Sequence, residues 1–214
     1  MNIASVKVIL SKVIDESFCH FVQLCYYKLS LRRFLMQKYL IYLSIFLVPV
    51  LWHPMLGQNK IKWMSWEEAL EKSKKTKRKI FVDIYTDWCG WCKKMDKSTF
   101  ADNDIAKYIN ENYYPVKFDA EMTSPVTLKG TEYKFVKSGA RGYHELAAYL
   151  LQGRMSYPSM VFLDEELSLI QAIPGYQDKT TFEMIITYFG NNSHKSVPWN
   201  KYMNLYSREV YFGN

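Results

Sequence analysis

The stretch that decides the fold runs from Ile80 to Met95 and reads IFVDIYTDWCGWCKKM. It begins with apolar and β-branched residues, a pattern that is typical of a buried β-strand. It ends in two cysteines, Cys89 and Cys92, with two residues between them. This order predicts a buried strand that leads directly into a redox-active turn.

The spacing of the two cysteines predicts how they react. If a helix starts near Cys89, both sulfurs lie on its first turn and come within reach of one another. The start of that helix offers unpaired N–H groups and the positive end of the helix dipole, which favour the thiolate form of Cys89. Cys89 is therefore the expected attacking sulfur. Cys92, one turn further in, is the expected resolving thiol, which releases a mixed disulfide.

A carboxyl group lies inside the predicted strand. Asp83 precedes Cys89 by six residues and stands among apolar neighbours, where an unpaired carboxylate is unfavourable. A carboxyl group that such surroundings keep partly protonated is suited to accept the proton of the resolving thiol. Asp83 is therefore the candidate general base for Cys92.

The segment VDIYTDWCGWCKKMD resembles the active-site segment of the thioredoxin superfamily. It is most similar to the bacterial exported thioredoxin-like proteins and to the periplasmic reductase domain of membrane thiol:disulfide interchange proteins. The features that this segment shares with the family are the strand that carries the aspartate and, around the cysteines, Trp88, Gly90 and Lys93. A second match lies downstream at Tyr157 and Pro158, where the family has a cis-proline that faces the disulfide.

The resemblance implies an α/β protein with the thioredoxin-like fold, a central mixed sheet flanked by helices. It implies that Tyr157 and Pro158 help to bind an extended substrate peptide, together with Trp88, Gly90 and Trp91 beside the cysteines. We expect Trp91 to dock substrates and Trp88 mainly to cover the core. Trp91 departs from the family, because thioredoxin has proline there and the isomerases and oxidants have histidine. The direction of electron flow therefore stays open.

The other predicted elements follow the order of that fold. Ser65 and Glu68 form a capping box, which predicts a helix from Trp66 to about Lys75. Lys129-Gly130 separates two short β-prone runs and predicts a hairpin inserted before the cis-proline strand. His144 is expected on the helix that follows this insertion. Further predictions are strands over 80–85, 114–118, 159–163 and 167–173, and helices over 104–112, 142–151 and 179–189.

The first 57 residues are expected to lie outside the folded domain. Residues 1–35 fit no pattern and are interpreted as an N-terminal extension that precedes the true start of translation at Met36. Residues 36–57 join a short positive region to the apolar run LIYLSIFLVPVLW and predict a signal peptide, with an uncleaved membrane anchor as the alternative. The thioredoxin-like domain is expected over 58–190. An aromatic tail, 191–214, either docks a short helix onto the domain or binds a partner.

The amino-acid composition and the distribution of charge indicate which classes of partner the protein binds. The chain has 214 residues, of which 49% are hydrophobic, enough for one good core. Residues 1–57 carry six Lys and Arg against two Asp and Glu, so more than half of the net charge of +7 lies outside the predicted domain. No recognition motif accompanies the charge, which argues against nucleic-acid binding. No nucleotide or flavin motif is visible, so we expect no cofactor and a membrane-embedded protein as electron donor.

The sequence thus predicts an exported, periplasmic thiol–disulfide oxidoreductase that reduces protein disulfides through its CGWC dithiol. The alternative is a thioredoxin-like binding module whose dithiol does not turn over, or a chaperone for a soft metal such as Cu(I). Cys19 and Cys25 are interpreted as thiols of a segment that the mature protein lacks. Their spacing to Cys89 and Cys92 is poor for a zinc site, so no resident metal is predicted.

Overall fold

The computed structural model describes residues 36–38, 60–207 and 212. The chain divides into two units, residues 1–57 and 58–214, and nearly all of the described residues belong to the second. The predicted extension lies outside the described residues, as does the predicted signal segment apart from three helical residues at its start. Within the described part of the chain, no helix combines the length and the apolar character needed to cross a membrane.

The predicted cap starts the first helix, α1 (Trp66–Lys75). The Ser65 hydroxyl accepts a hydrogen bond from the backbone N–H of Glu68 at 3.1 Å, which satisfies one of the unpaired N–H groups of the first turn. The Glu68 carboxylate pairs with Lys72 one turn further on, at 2.8 Å. The start and the end of this helix are therefore those that the sequence predicts.

The other elements follow in the predicted order, with one hairpin more than expected. Two short strands form the predicted hairpin, which turns at Lys129 and Gly130. The elements are β1 (Lys79–Tyr85), α2 (Gly90–Lys97), α3 (Asn103–Asn112), β2 (Tyr113–Asp119), β3 (Val126–Leu128), β4 (Thr131–Tyr133), β5 (Phe135–Ser138), β6 (Arg141–His144), α4 (Glu145–Leu150), β7 (Ser159–Leu163), β8 (Leu169–Pro174), α5 (Lys179–Gly190) and α6 (Trp199–Leu205).

A four-stranded mixed sheet in the order β2-β1-β7-β8 forms the centre of the domain. Strand β1 runs parallel to β2 and antiparallel to β7, and β7 runs antiparallel to β8. Because β1 is an inner strand covered on both faces, its residues are buried in a continuous run rather than in alternation, and Asp83 interrupts an otherwise apolar stretch. This topology confirms the predicted thioredoxin-like fold.

Alternate residues of β1 point to two cores on opposite faces of the sheet. Val82 and its alternate neighbours pack with α1 and α4. Phe81 packs on the other face with α2, α3 and α5, and its ring centroid lies 5.4 Å from that of Phe162 and 5.6 Å from that of Phe182. Asp83 is two residues after Phe81, so it lies on the face that carries the cysteine helix.

The helix predicted over 142–151 begins later than expected, because its first residues belong to a second hairpin. Strands β5 and β6 pair across a turn in which Gly139 has a φ of +60°. A Cβ at Gly142 would lie 2.1 Å from the ring of Phe135, so this pairing requires glycine. His144 ends β6, and its ring caps α4 from outside the helix. The prediction that His144 lies within the helix was wrong.

The aromatic tail packs a helix against the domain. Tyr202 of α6 is buried, and its hydroxyl lies 2.9 Å from the Thr187 hydroxyl of α5. Tyr188 of α5 donates a hydrogen bond to the carbonyl oxygen of Val197 at 2.6 Å. These contacts show the tail docked onto the domain through a short helix, which is one of the two roles that the sequence left open.

Candidate active site

Cys89 and Cys92 lie at the start of α2, joined by a disulfide with an S–S distance of 2.05 Å. Cys89 is the N-cap, and its sulfur accepts the backbone N–H of Cys92 at 3.1 Å. A sulfur in this position is well placed to carry negative charge once the disulfide is reduced. The two cysteines expose 5% and 3% of their surface, so they differ little in shielding in the oxidised form. The space around the Cα of Gly90, between them, is open.

Asp83 is almost completely buried, with 1% of its surface exposed. Burial raises the pKa of its carboxyl group to about 6. One oxygen, Oδ2, accepts a hydrogen bond from Lys117 Nζ at 3.1 Å, and among the described residues the other oxygen has no hydrogen-bond partner. A carboxyl group with such a pKa exchanges protons readily near neutral pH.

Lys117 is a neighbour of Asp83 that sequence reasoning missed. Its ammonium group bonds to both Asp83 and Asp96, and it lies 5.1 Å from the ring centroids of Trp63 and Tyr85. Burial opposes the charge on Lys117, but the two carboxylates outweigh it and raise its pKa. The parallel register of β1 and β2 pairs Lys117 directly with Asp83. Alignment of the two predicted strands would have revealed the pair.

The peptide bond between Tyr157 and Pro158 is cis, as the resemblance implied. Ser159 pairs with Ile84, so the proline lies next to the end of β1, where the chain enters the cysteine turn. The ring of Tyr157 meets that of Trp88 edge to face, with 5.9 Å between centroids. Burial raises the pKa of Tyr157 from its ordinary value of 10.0 to about 12.

Trp88 and Trp91 flank the disulfide and expose 51% and 55% of their surface. Trp88 is thus more exposed than a residue that mainly covers the core, and its Nε1–H donates to Glu121 at 3.0 Å. Trp91 lies 5.5 Å from the ring of Tyr176, and the Lys94 ammonium sits 4.6 Å from its ring centroid. Both tryptophans offer exposed apolar surface beside the cysteines.

The second hairpin reaches the site through Arg141, the first residue of β6. Its guanidinium carbon lies 4.5 Å from the centroid of the Trp88 ring, a cation–π distance. This contact could not be predicted from a sequence pattern that indicates a helix over 142–151, because Arg141 then falls in the loop before that helix. Three residues from separate parts of the chain, Arg141, Glu121 and Tyr157, therefore surround Trp88.

Clusters of metal-ligating side chains are not found in the part of the chain that the structure describes. No group of three or more His, Cys, Asp or Glu side chains there is arranged to hold a metal ion. Cys19 and Cys25 lie outside the described residues. A soft metal at this site would have to bind to the reduced Cys89–Cys92 pair itself.

Comparison with known families gives a match over residues 51–184 to the model described as Thioredox_DsbH, protein of unknown function DUF255. The match covers more than half of the chain. The chain belongs to this family. Because the matched range includes β1, the cysteine turn and the cis-proline, the family assignment and the geometry concern the same part of the molecule.

Three curated proteins illustrate the similarity. The chain is 31% identical over 88 residues to uncharacterized protein B0495.5 of Caenorhabditis elegans, 34% over 66 residues to spermatogenesis-associated protein 20 of Rattus norvegicus, and 33% over 72 residues to thiol:disulfide interchange protein DsbD of Colwellia psychrerythraea. The alignments cover 41%, 30% and 30% of this chain and 12%, 8% and 12% of those proteins. The chain thus aligns with only about a tenth of the length of each relative.

Two solved structures are similar as well. A protein described as DsbH oxidoreductase has 18% identity and a TM-score of 0.43, over 62% of this chain and 87% of that one. A putative disulphide-isomerase from Bacteroides thetaiotaomicron has 23% identity and a TM-score of 0.44, over 63% of this chain and 96% of that one. The order and the register of the strands establish the fold without reference to these two structures. A thioredoxin-like fold with a cysteine pair at disulfide distance supports a thiol–disulfide oxidoreductase-like role.

Proposed function

We propose that the protein reduces disulfides of other proteins in an exported, periplasmic compartment, and that Cys89 and Cys92 carry the exchange. The observation that supports this most strongly is the disulfide at the start of α2, next in sequence to two exposed tryptophans and close to the strand end that carries cis-Pro158. A dithiol at a helix N-terminus has a stabilised thiolate, and exposed rings beside it offer a surface for a client.

In the first step, the Cys89 thiolate attacks one sulfur of a client disulfide. The client S–S bond breaks, a bond forms between Cys89 and that sulfur, and the second client sulfur leaves as a thiolate that takes a proton from water. The helix N-terminus stabilises the attacking thiolate, as the contact between the Cys89 sulfur and the Cys92 N–H in the oxidised form indicates.

In the second step, Cys92 resolves the mixed disulfide. Its thiol proton passes to the Asp83 carboxylate, which is largely ionised at pH 7 because its pKa is about 6. The Cys92 sulfur then attacks the Cys89 sulfur, the mixed disulfide breaks, and the remaining client sulfur leaves as a thiolate that is protonated. Two electrons have then moved from the enzyme dithiol to the client disulfide, and the enzyme disulfide is restored.

The client is an extended segment of a polypeptide that lies beside Tyr157 and Pro158. Its apolar side chains contact the exposed faces of Trp88 and Trp91. The open space at Gly90 leaves room for the client backbone close to the sulfurs. Gly90 thus allows the client to reach the sulfurs and does not contribute to packing.

A protein dithiol returns the electrons after each turnover. We assign this role to a membrane-embedded donor, because an exported compartment is oxidising and the sequence contains no nucleotide or flavin motif. The similarity to a thiol:disulfide interchange protein of Colwellia psychrerythraea supports an exchange partner of this kind. The proposed export rests on the apolar run within residues 36–57, as a signal peptide or an uncleaved anchor, with translation beginning at Met36.

Insulin reduction tests the proposal. The full-length protein is mixed with oxidised insulin and dithiothreitol, and the precipitation of the insulin B chain is followed by turbidity. We expect precipitation well ahead of dithiothreitol alone, and no acceleration by the Cys89→Ser variant. A folded wild-type protein that does not accelerate insulin reduction would refute the oxidoreductase function and would favour the binding module in its place.

A further inference from the structure

We propose that Arg141 is a positioning residue for client binding, and that the hairpin β5–β6 makes the site favour protein disulfides over small ones. This inference rests on the proposed function, since it concerns how the same dithiol selects its substrate. Three features of the structure support this role of Arg141: the contacts of Trp88, the hydrogen bonds that attach the hairpin to the sheet, and the packing at the base of the hairpin.

Contacts at the surface, rather than burial in a core, orient the Trp88 ring. About half of Trp88 is exposed, so packing alone does not fix its side chain. Arg141 lies 4.5 Å from the ring centroid, Glu121 accepts the indole N–H at 3.0 Å, and Tyr157 meets the ring edge to face. Arg141 is the contact that the second hairpin supplies, and its cation–π attraction holds the ring in the orientation in which Tyr157 and Glu121 also touch it.

The hairpin is tied firmly to the active-site end of the sheet. The backbone N–H of His144 donates to the carbonyl oxygen of Ala120 at 2.7 Å, and the N–H of Ala120 donates to Tyr85 at 2.8 Å. At the other strand of the hairpin, Lys134 and Glu145 exchange two hydrogen bonds of 2.8 Å. Because Tyr85 is the last residue of β1, these bonds connect the base of the hairpin to the strand that leads to the cysteines.

The base of the hairpin is packed, which holds the strand that begins with Arg141 in place, while residues 137–141 around the turn are exposed. The missing Cβ of Gly142 lets the ring of Phe135 lie across the opposite strand. The buried His144 ring accepts the N–H of Leu146 at Nδ1, so its Nε2–H donates to the carbonyl oxygen of Ser124. Burial lowers the pKa of His144, which keeps the ring neutral near pH 7 and preserves both bonds.

This arrangement affects large and small disulfides differently. A polypeptide client gains binding energy from the oriented Trp88 ring, because an apolar side chain next to its disulfide packs on the exposed part of the ring. A small disulfide reacts at the sulfurs without reaching the ring. The expected client is therefore an extended protein segment with an apolar residue beside the disulfide.

Steady-state kinetics of the full-length protein test the role of Arg141. The wild type, Arg141→Ala, Arg141→Lys and Lys137→Ala are compared with insulin as the protein disulfide and hydroxyethyl disulfide as the small one, with dithiothreitol as the reductant and its direct reaction subtracted. Lys137→Ala is the matched control, since it removes one positive charge from an exposed position of the same hairpin. We expect Arg141→Ala to raise KM for insulin about two- to fivefold, the effect of one exposed cation–π contact, with kcat nearly unchanged.

The other variants decide what causes the effect. Arg141→Lys keeps a cation and should restore most of the affinity for insulin, while Lys137→Ala should behave like the wild type. Hydroxyethyl disulfide should be reduced equally well by all four proteins. An unchanged KM for insulin in Arg141→Ala, or an equal rise in Lys137→Ala, would overturn the inference and leave the oxidoreductase function intact. A wild-type protein that reduces neither disulfide would overturn both.

Discussion

At the scale of single residues, Asp83 shares one lysine with a second carboxylate. Lys117 bonds to Asp83 from β2 and also to Asp96 of the cysteine helix. The ammonium group therefore neutralises Asp83 only in part, and the negative charge of Asp96 adds to the effect of burial. Burial is the main reason why the pKa of Asp83 is raised to about 6 although an ion pair of 3.1 Å is present, and the charge of Asp96 adds to it.

The raised pKa predicts how Asp83 affects stability. The folded carboxyl has a pKa of about 6 against an ordinary value of 3.8, so the folded state binds the proton more tightly, and stability falls as pH rises between these values. Asp83→Asn removes this loss and should raise the free energy of unfolding at pH 7 by about 3 kcal/mol, because the pKa of about 6 already includes the effect of the Lys117 ion pair. Urea unfolding of the oxidised protein measures the difference. The stability difference between Asp83→Asn and the wild type should disappear near pH 3.8, the ordinary pKa of an aspartate. A gain in stability that does not depend on pH would contradict a raised pKa for Asp83.

The same pKa predicts a pH profile for the resolving step. Asp83 must be ionised to accept the Cys92 proton, so the release of client from a preformed mixed disulfide should accelerate as pH rises through about 6. Asp83→Asn should slow this release about a hundredfold and abolish the inflection. Asp96→Asn should keep the inflection but move it to lower pH, because it removes a nearby negative charge and leaves Lys117 to Asp83. Rapid-quench measurements would test this, and an unchanged profile in Asp83→Asn would exclude Asp83 as the base.

At the scale of secondary structure, local sequence patterns predicted most helices and strands. The remaining features depend on contacts between residues that are far apart in the sequence. The cysteine turn could be predicted because its chemistry lies within one short segment. The second hairpin could not, because only the contact between Gly142 and Phe135 shows why the glycine pairs in a strand instead of starting a helix. The Asp83–Lys117 pair likewise depends on strand register, which joins residues 34 positions apart.

The hairpin provides a prediction of its own. A Cβ at Gly142 would lie 2.1 Å from the Phe135 ring and 2.5 Å from the carbonyl oxygen of Val136, so Gly142→Val should separate the two strands. We expect a loss of about 1–3 kcal/mol in the free energy of unfolding and a rise in KM for insulin at least as large as in Arg141→Ala. Gly139→Asn is the control, because asparagine tolerates a positive φ and the space there is open. A normal KM in a destabilised Gly142→Val protein would argue against the hairpin as part of the client site.

At the scale of the whole molecule, the aromatic tail extends the core on the α5 side of the sheet. Tyr202 is 5% exposed, and its hydroxyl bonds to Thr187 at 2.9 Å. Tyr202→Ala should therefore lower the free energy of unfolding by about 3 kcal/mol and Tyr202→Phe by about 1 kcal/mol. Met203→Ala, at an exposed position of the same helix, should change it by less than about 0.5 kcal/mol. Equal stability of Tyr202→Ala and Met203→Ala would show that the docked tail does not contribute.

The domain that the structure describes combines a covered four-stranded sheet with a reactive corner, where the end of β1, the start of α2 and the cis-proline meet. The proposed exchange chemistry takes place in that corner. The family match and the topology establish the scaffold, and the proposed activity depends on the two sulfurs acting in a fixed order, Cys89 first and Cys92 second.

Trapping of a mixed disulfide tests that order most directly. The full-length Cys92→Ser protein is incubated with oxidised insulin, quenched with an alkylating agent and analysed by mass spectrometry under non-reducing conditions. We expect a stable adduct between Cys89 and an insulin cysteine, and no adduct on the domain over residues 58–214 in the Cys89→Ser/Cys92→Ser double variant. A folded Cys92→Ser protein that forms no adduct, while Cys89→Ser does, would contradict the assignment of Cys89 as the nucleophile.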